Sequence, residues 1–114
     1  MKHTGRHTDA FLLLFLTDGD RYGGELLQKC EKELPVNPID SAIIYRTLKK
    51  LETEGAVESY LDTSNHDKPI KKYRITTIGK KKLVDFQVDI ESKIKNLTFF
   101  MDKYNQWNDE SKHD

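Results

Sequence analysis

The C-terminal third of the chain repeats mainly apolar side chains every seven residues, and this pattern constrains the fold most strongly. Alternating steps of four and three residues connect Leu83, Gln87, Ile90, Ile94, Leu97, Met101 and Tyr104. Such spacing predicts a helix with one apolar stripe, as in coiled coils. A helix from Thr77 to Tyr104 would be about 42 Å long at 1.5 Å per residue. A chain of 114 residues is too small to cover that stripe, so we expect a second copy to bury it.

The stripe defines a predicted homodimer interface along the long helix. Its members are Phe86, Ile90, Ile94, Leu97, Phe100, Met101 and Tyr104. The alternative is that the helix folds back onto its own domain, which would cover only its first turns. The polar residues 105–114 predict a flexible tail beyond the interface.

The composition agrees with a small domain that needs a second copy. Charged residues make up 33% of the chain, apolar residues 36%, and the mean hydropathy is −0.74, which is low for a self-sufficient monomer. The single cysteine, Cys30, excludes an internal disulfide and suits a reducing compartment. The longest apolar run, Phe11 to Leu16, is too short to span a bilayer and follows no signal-peptide pattern. We therefore expect a cytoplasmic protein.

Two helices are predicted in the N-terminal third. Thr8 or Asp9 can cap the first, which contains the leucine-rich run from Phe11 to Leu16. The second starts near Tyr22 and ends at Leu34, because a proline follows there and cannot continue the helix.

A third predicted helix has one apolar side and one basic side. Asp40 or Ser41 caps it, and Gly55 ends it. The apolar stripe, with the spacing i, i+4, i+7, consists of Ile44, Leu48 and Leu51. The opposite side presents Arg46, Lys49, Lys50 and Thr53.

Two strands separate this helix from the long one. Val57 to Thr63 predicts the first strand, residues 64–69 a polar turn and Ile70 to Ile75 the second strand, after which Thr76 caps the long helix. This order predicts an α+β chain, mainly α: a winged helix-turn-helix with a long C-terminal dimerisation helix. We expect a winged-helix domain at 1–76, the dimerisation helix at 77–104 and the tail at 105–114.

The net charge is zero, but the basic residues concentrate in the middle of the sequence. Residues 35–82 carry 10 basic and 6 acidic side chains, whereas residues 1–34 carry 5 and 6, and residues 83–114 carry 4 and 7. A one-sided basic surface is what the binding of nucleic acid requires. A basic helix followed by a β-hairpin is also how a winged helix meets DNA. We therefore predict that double-stranded DNA is the partner.

The third helix is expected to enter the major groove, where an α-helix fits and base pairs can be distinguished. Arg46 can pair bidentately with guanine, whereas Tyr45, Lys49 and Lys50 are expected at phosphates, which set affinity and register. Ser41 belongs to the same predicted contact set. The alternatives are a solvated helix face for the lysines and packing against the core for Tyr45.

The hairpin is expected to lie along the minor groove or the DNA backbone. His66 and Lys68 are the side chains of its turn that would reach furthest. Lys72 and Arg74 lie on one face of the second strand and could also reach phosphates. Tyr73 lies on the opposite face, where we expect it to be part of the core.

The sequence lacks the patterns of metal binding and catalysis. His3, His7, His66 and His113 have no metal-ligand spacing with Cys30. No H-E-x-x-H, G-x-S-x-G or phosphate-binding glycine-rich loop occurs, so we expect neither an enzyme nor a cofactor. Cys30 lies on the apolar side of the second helix, where we expect inert packing rather than redox sensing.

Three motifs, in order and at matching spacing, resemble the PadR-like family of bacterial transcriptional regulators, specifically its short subfamily. The resemblance covers residues 9–104. Its Y-G-Y-E-I/L segment is similar to Tyr22-Gly23-Gly24-Glu25-Leu26. Its L-Y-x-x-L-x-x-L-E-x-x-G signature is similar to Ile44-Tyr45, Leu48 and Leu51-Glu52-x-Glu54-Gly55. Its R-K-Y-Y-x-L-T-x-x-G segment is similar to Lys71-Lys72-Tyr73-Arg74-Ile75-Thr76 with Gly79.

The resemblance implies a homodimeric repressor that binds a palindromic operator. In some members of the family, small aromatic or cationic ligands release the repressor from its operator. Ile43 stands where the family often has a hydroxyl, so the operator should differ; Ile43 could instead touch a thymine methyl. The alternative function is a winged-helix protein–protein interaction module whose basic helix docks an acidic partner.

An effector pocket is predicted between the two winged-helix units of the dimer. Its candidate lining residues are Phe11, Phe15, Phe86, Asp89 and Ile90. Asp89 could select for a cationic ligand; plain core packing and a solvated carboxylate are the alternatives. Ile90 stands where drug-binding members of the family have a tryptophan, so the sensing of aromatic drugs does not carry over.

Overall fold

The computed structural model describes residues 7–64 and 68–111. These residues fall into two compact units, and the division lies between Leu83 and Val84. The elements follow one another as α1 (Thr8–Phe15), β1 (Arg21–Tyr22), α2 (Gly23–Glu33), α3 (Ser41–Thr53), β2 (Val57–Asp62), β3 (Ile70–Ile75) and α4 (Thr77–Ser111).

The core of the first unit is a leucine-rich junction of α1, α2 and α3. Leu12 and Leu13 of α1 and Leu26 of α2 are fully shielded from solvent, as are the predicted stripe residues of α3, Ile44, Leu48 and Leu51. Cys30 lies in the same core, and burial raises the pKa of its thiol, as expected for an inert packed cysteine.

The helix starts differ from prediction in one case. Neither Thr8 nor Asp9 caps α1: His7, with a left-handed φ of 55°, holds the N-cap position without a side-chain cap, and the Asp9 carboxylate accepts the Ala10 N–H instead. For α3, Asp40 is the cap, because its Oδ1 accepts the Ile43 N–H at 2.9 Å.

The C-terminal end of α3 is closed by Gly55, as predicted. The Gly55 N–H donates to the Glu52 carbonyl at 3.0 Å and the Ala56 N–H to the Leu51 carbonyl at 2.9 Å. These two bonds form a Schellman motif, which needs a left-handed residue at the position of Gly55, and its φ is 79°.

The sheet has three antiparallel strands in the order β1-β3-β2, so β3 is central. The two-residue strand β1 is absent from the prediction, because two residues show no periodicity. Val57 and Tyr73 are buried on the inner face, whereas Leu61 on that face is 65% exposed. Leu61 therefore lies beyond the edge of the core, although it shares a face with Val57.

Thr76 connects the segment between α3 and β2 to the start of α4 through its hydrogen bonds. Its N–H donates to the Ala56 carbonyl at 3.0 Å, and its hydroxyl donates to the Gly55 carbonyl at 2.5 Å. The same hydroxyl accepts the Gly79 N–H at 3.2 Å, so Thr76 caps α4 as predicted. Gly79 is buried at this junction, and a Cβ there would overlap the Ala56 carbonyl oxygen.

The long helix α4 has 35 residues and is about 52 Å long at 1.5 Å per residue. It continues to Ser111, beyond its predicted end at Tyr104, so residues 105–111 are helical. The ring of Tyr104 lies 6.2 Å from that of Phe100 and 5.7 Å from that of Trp107, which extends the aromatic side of the helix past the predicted seam. No helix among the described residues is long and apolar enough to cross a membrane.

Candidate nucleic-acid interface

The outward side of α3 is the surface with the most accessible positive charge in the candidate site. Opposite the buried stripe, exposed side chains recur at the helical spacing: Ala42, Arg46, Lys49 and Thr53. Within residues 7–64 and 68–111, Arg46 and Lys49 form no ion pair. Both cations are thus available to an anion from outside the chain.

Lys50 differs from its neighbours because it is paired within the chain. Its ammonium lies 3.4 Å from the Asp9 carboxylate of α1, although the lysine side chain is 59% exposed. An exposed pair of this kind contributes less than about 1 kcal/mol. The ion pair with Asp9 would therefore cost little to break if Lys50 bound a phosphate.

Tyr45 packs against a neighbouring helix and is still half exposed. Its side chain is 53% exposed, yet its ring packs over the first residue of α2, Gly23, where any Cβ would overlap the ring. The glycine therefore lets the ring lie between α2 and α3. Ser41, in the first turn of α3, is exposed beside the capping Asp40.

The hairpin turn falls only partly within the described residues. Lys68 is exposed, whereas His66 lies outside the described residues. The start of the turn is held by Asp62, which accepts the Ser64 hydroxyl at 2.6 Å and the Ser64 N–H at 3.0 Å. Together with the Lys72 ammonium at 3.2 Å, these donors lower the pKa of the Asp62 carboxyl to about 2.

Lys72 and Arg74 lie on the same face of β3, as predicted, and both are paired within the chain. Lys72 is held by Asp62, which raises the pKa of its ammonium. The Arg74 guanidinium lies 3.2 Å from Glu58 and 3.3 Å from Asp20, and these carboxylates raise its pKa. Whether either cation also meets DNA stays a prediction.

The residues predicted for an effector pocket are distributed over both units. In the first, the rings of Phe11 and Phe15 stack at 6.4 Å, and the Lys29 ammonium lies 5.5 Å from the Phe15 ring. In the second, Asp89 pairs with Lys93 at 3.0 Å along α4. Phe86 and Ile90, both half-buried, also lie on α4, and the pocket stays a prediction.

The partners of the basic hairpin residues were not found from the sequence; they are Asp20, Glu58, Tyr60 and Asp62. Strand register is the signal that could have found one of them, because Glu58 lies directly opposite Arg74 in the antiparallel pair. Asp20 could not be found in this way, because it precedes the strand β1 that the periodicity does not reveal.

Three helices, a three-stranded sheet and a long C-terminal helix form a winged-helix fold, as predicted from the sequence. A sequence model of the Transcriptional regulator PadR-like family matches residues 12–85. The chain belongs to this family. An uncharacterized protein of Lysinibacillus sphaericus is 31% identical over 75 residues, which are 65% of this chain and 69% of that protein.

Solved structures agree with this assignment. A PadR family transcription regulator from Clostridium difficile superposes with a TM-score of 0.72 at 21% identity, over 83% of this chain and 98% of the other. A transcriptional regulator from Clostridium thermocellum gives a TM-score of 0.72 at 28% identity, over 82% and 89%. Bacillus subtilis PadR, solved in complex with operator DNA, gives 0.64 at 26% identity, over 70% of this chain and 46% of that protein.

Proposed function

We propose that this PadR-family regulator represses transcription by binding a palindromic operator as a homodimer, with α3 of each copy in a major groove. The observation that carries the proposal is the outward side of α3, where Arg46 and Lys49 are exposed and form no ion pair within the described residues. Arg46 would read guanine, Lys49 would hold a phosphate, and Ser41, Tyr45 and Lys50 would complete the contact. Lys68 and His66 of the turn would reach the adjacent groove or backbone.

The likeness to Bacillus subtilis PadR, solved with operator DNA, supports DNA as the partner. Ala42 supports major-groove entry, because a small side chain at the start of the outward side lets the helix approach the base edges. Such a regulator would act in the cytoplasm.

The exposed apolar side chains of α4 support the homodimer. On this helix Ile94, Leu97, Phe100, Met101 and Trp107 are each at least half exposed. A continuous apolar band of this kind is unusual on a monomer and marks an interaction surface. A second copy of α4 would bury it through the seven-residue seam, and two copies related by a two-fold axis would place two α3 helices on a palindrome. A small-molecule effector would then release the operator.

Fluorescence anisotropy tests the proposal with labelled DNA from upstream of the protein's own gene and with a scrambled duplex, at two salt concentrations. In parallel, bound sequences are selected from a pool of random duplexes, which would identify an operator that does not lie upstream of the protein's own gene. We expect preferential binding whose affinity falls by roughly 10³ to 10⁵ between 50 and 200 mM salt, if six to ten phosphates are contacted. Equal, weak binding to every duplex together with no enriched sequence would reject the proposal and favour a protein-interaction module.

A further inference from the structure

The outer face of the sheet carries a connected group of charged side chains. They project from β2 and β3 on the side opposite the buried Val57 and Tyr73, and from the residue that precedes β1. The outer-face cluster consists of Asp20, Glu58, Tyr60, Asp62, Lys72 and Arg74.

Arg74 is at the centre of this cluster because β3 is the central strand. One guanidinium nitrogen lies 3.2 Å from Glu58 on β2, and another lies 3.3 Å from Asp20, which precedes β1. The guanidinium also stacks on the Tyr60 ring, with 4.9 Å to the ring centroid, and the Tyr60 hydroxyl donates to Asp20 at 2.7 Å. One side chain thus joins both edges of the sheet.

The charge balance of the outer-face cluster differs from that of α3. The cluster contains three carboxylates and two cations, and both cations are paired. Arg74 is about as exposed as Lys50, at 50%, but it has two carboxylate partners and a ring contact, so a phosphate near it would compete with both Glu58 and Asp20. Arg46 and Lys49, by contrast, can bind an anion without breaking an ion pair within the described residues.

We propose that Arg74 is a positioning residue for DNA binding: it fixes the β2–β3 hairpin to the body of the winged-helix unit and does not contact phosphate. Lys72 acts in the same way towards the hairpin turn, through Asp62 and the Ser64 bonds. This inference rests on the proposed DNA-binding function. It departs from the sequence-based expectation that Lys72 and Arg74 reach phosphates.

The test uses a variant that removes the pair without changing the net charge, Glu58→Gln/Arg74→Gln. Its affinity for the duplex that the wild-type protein prefers is measured by anisotropy at several salt concentrations. Lys49→Gln is the control for a lost phosphate contact. The logarithm of the affinity falls linearly with the logarithm of the salt concentration. Each lost phosphate contact makes this slope shallower by about 0.9 per protomer.

In a Lys68→Gln background, which removes the cation of the turn itself, we expect the double variant to lose affinity roughly tenfold with an unchanged salt slope, because the hairpin is misplaced while the phosphate contacts of α3 remain. A slope lowered by about 0.9 per protomer, as for Lys49→Gln, would show that Arg74 contacts phosphate and overturn the inference. Unchanged affinity and slope would overturn it too, since the pair would then serve only the fold. A wild-type protein that prefers no duplex would instead reject the proposed function.

Hydrogen exchange on the free protein tests the structural half of the inference without DNA. In Glu58→Gln/Arg74→Gln and in Tyr60→Phe, which loses only the bond to Asp20, we expect faster exchange of the β2 and β3 amides and unchanged exchange in α3. Unchanged protection of the hairpin in both variants would contradict a role for the outer-face cluster in holding it.

Discussion

The ring of Tyr45 lies where a side chain at Gly23 would have to be, so the first residue of α2 and the second turn of α3 share one space. This contact has a rigid partner, the helix backbone at Gly23, and a movable one, the half-exposed tyrosine ring. A change at Gly23 therefore acts on the surface of α3 more than on the core.

Gly23→Ala is expected to weaken DNA binding with little change in stability. The new Cβ displaces the Tyr45 ring into solvent, and the cost in stability is small because this ring is already half exposed. The affinity loss should match that of Tyr45→Ala, and the double variant should bind no worse than either single one, as measured by anisotropy and urea unfolding. Additive losses would contradict a shared space.

Gly79→Ala is expected to be strongly destabilising. Its Cβ would overlap the Ala56 carbonyl and lie 2.7 Å from Ile75 Cγ1, and neither group can move without shifting β2 or β3. Overpacking of this kind costs about 1–3 kcal/mol or more. The matched control is Gly19→Ala, which has nothing within 4 Å of the new Cβ. Equal urea midpoints for Gly79→Ala and Gly19→Ala would contradict close packing of Gly79 against the Ala56 carbonyl.

Leu97→Glu on α4 is expected to convert a dimer into a monomer, since it places a charge within the proposed seam. Light scattering should give about twice the 13.3 kDa of one chain for the wild-type protein and a single chain mass for the variant. The control is Ser92→Glu, an exposed position on the side of the helix away from the seam, which should remain dimeric. If both variants stay dimeric, the seam is not the interface.

Arg46→Ala and Lys49→Ala are expected to differ in their effect on sequence preference. The loss of a bidentate base contact removes about 1–3 kcal/mol of discrimination, so Arg46→Ala should bind operator and scrambled duplexes more equally. Lys49→Ala should weaken binding to both duplexes by a similar factor, because a phosphate carries no sequence information. Competition titrations with the two duplexes distinguish these outcomes.

Acid is expected to destabilise the protein partly through Asp62. Its pKa of about 2 lies below the ordinary value of 3.8, so the unfolded chain takes up this proton first as the pH falls. The stability contributed by this carboxylate is thus complete above about pH 4 and is lost as the pH falls towards 2. Asp62→Asn should show a flatter dependence of the urea midpoint on pH in this range. An NMR titration of the Asp62 carboxyl with its inflection near 3.8 would contradict the Ser64 and Lys72 contacts.

Most of the fold followed from the sequence because its elements have strong local signals. The stripe of Ile44, Leu48 and Leu51 is buried, as its spacing predicts. Gly55 ends α3 in a left-handed conformation, and Thr76 caps α4, as their residue types predict. His7 carries no such signal, although it holds the N-cap position of α1. The α4 end was predicted too early because polar residues after Tyr104 indicate exposure rather than the end of a helix.

The sequence predicted which candidate residues lie on one side of α3, but it did not predict the ion pairs of the hairpin. Helical spacing alone places Arg46 and Lys49 on the outward side of α3. The same reasoning treated Lys72 and Arg74 as available cations, because ion pairs with Asp62, Glu58 and Asp20 depend on strand register and on a strand of two residues. Counting charges along a sequence cannot distinguish a paired cation from an available one.

The hydrogen bonds of Thr76 also bear on how the wing can vary. The carbonyls of Gly55 and Ala56, which precede the hairpin, bind the residue that follows it, so the hairpin leaves and returns to the body at one place. Residues added to the turn at 64–69 would lengthen the loop without moving either end, and loop closure costs only about 0.6 kcal/mol for each doubling of length. Relatives can therefore acquire longer or shorter wings, and altered groove contacts, while α3 and the first turn of α4 keep their mutual arrangement.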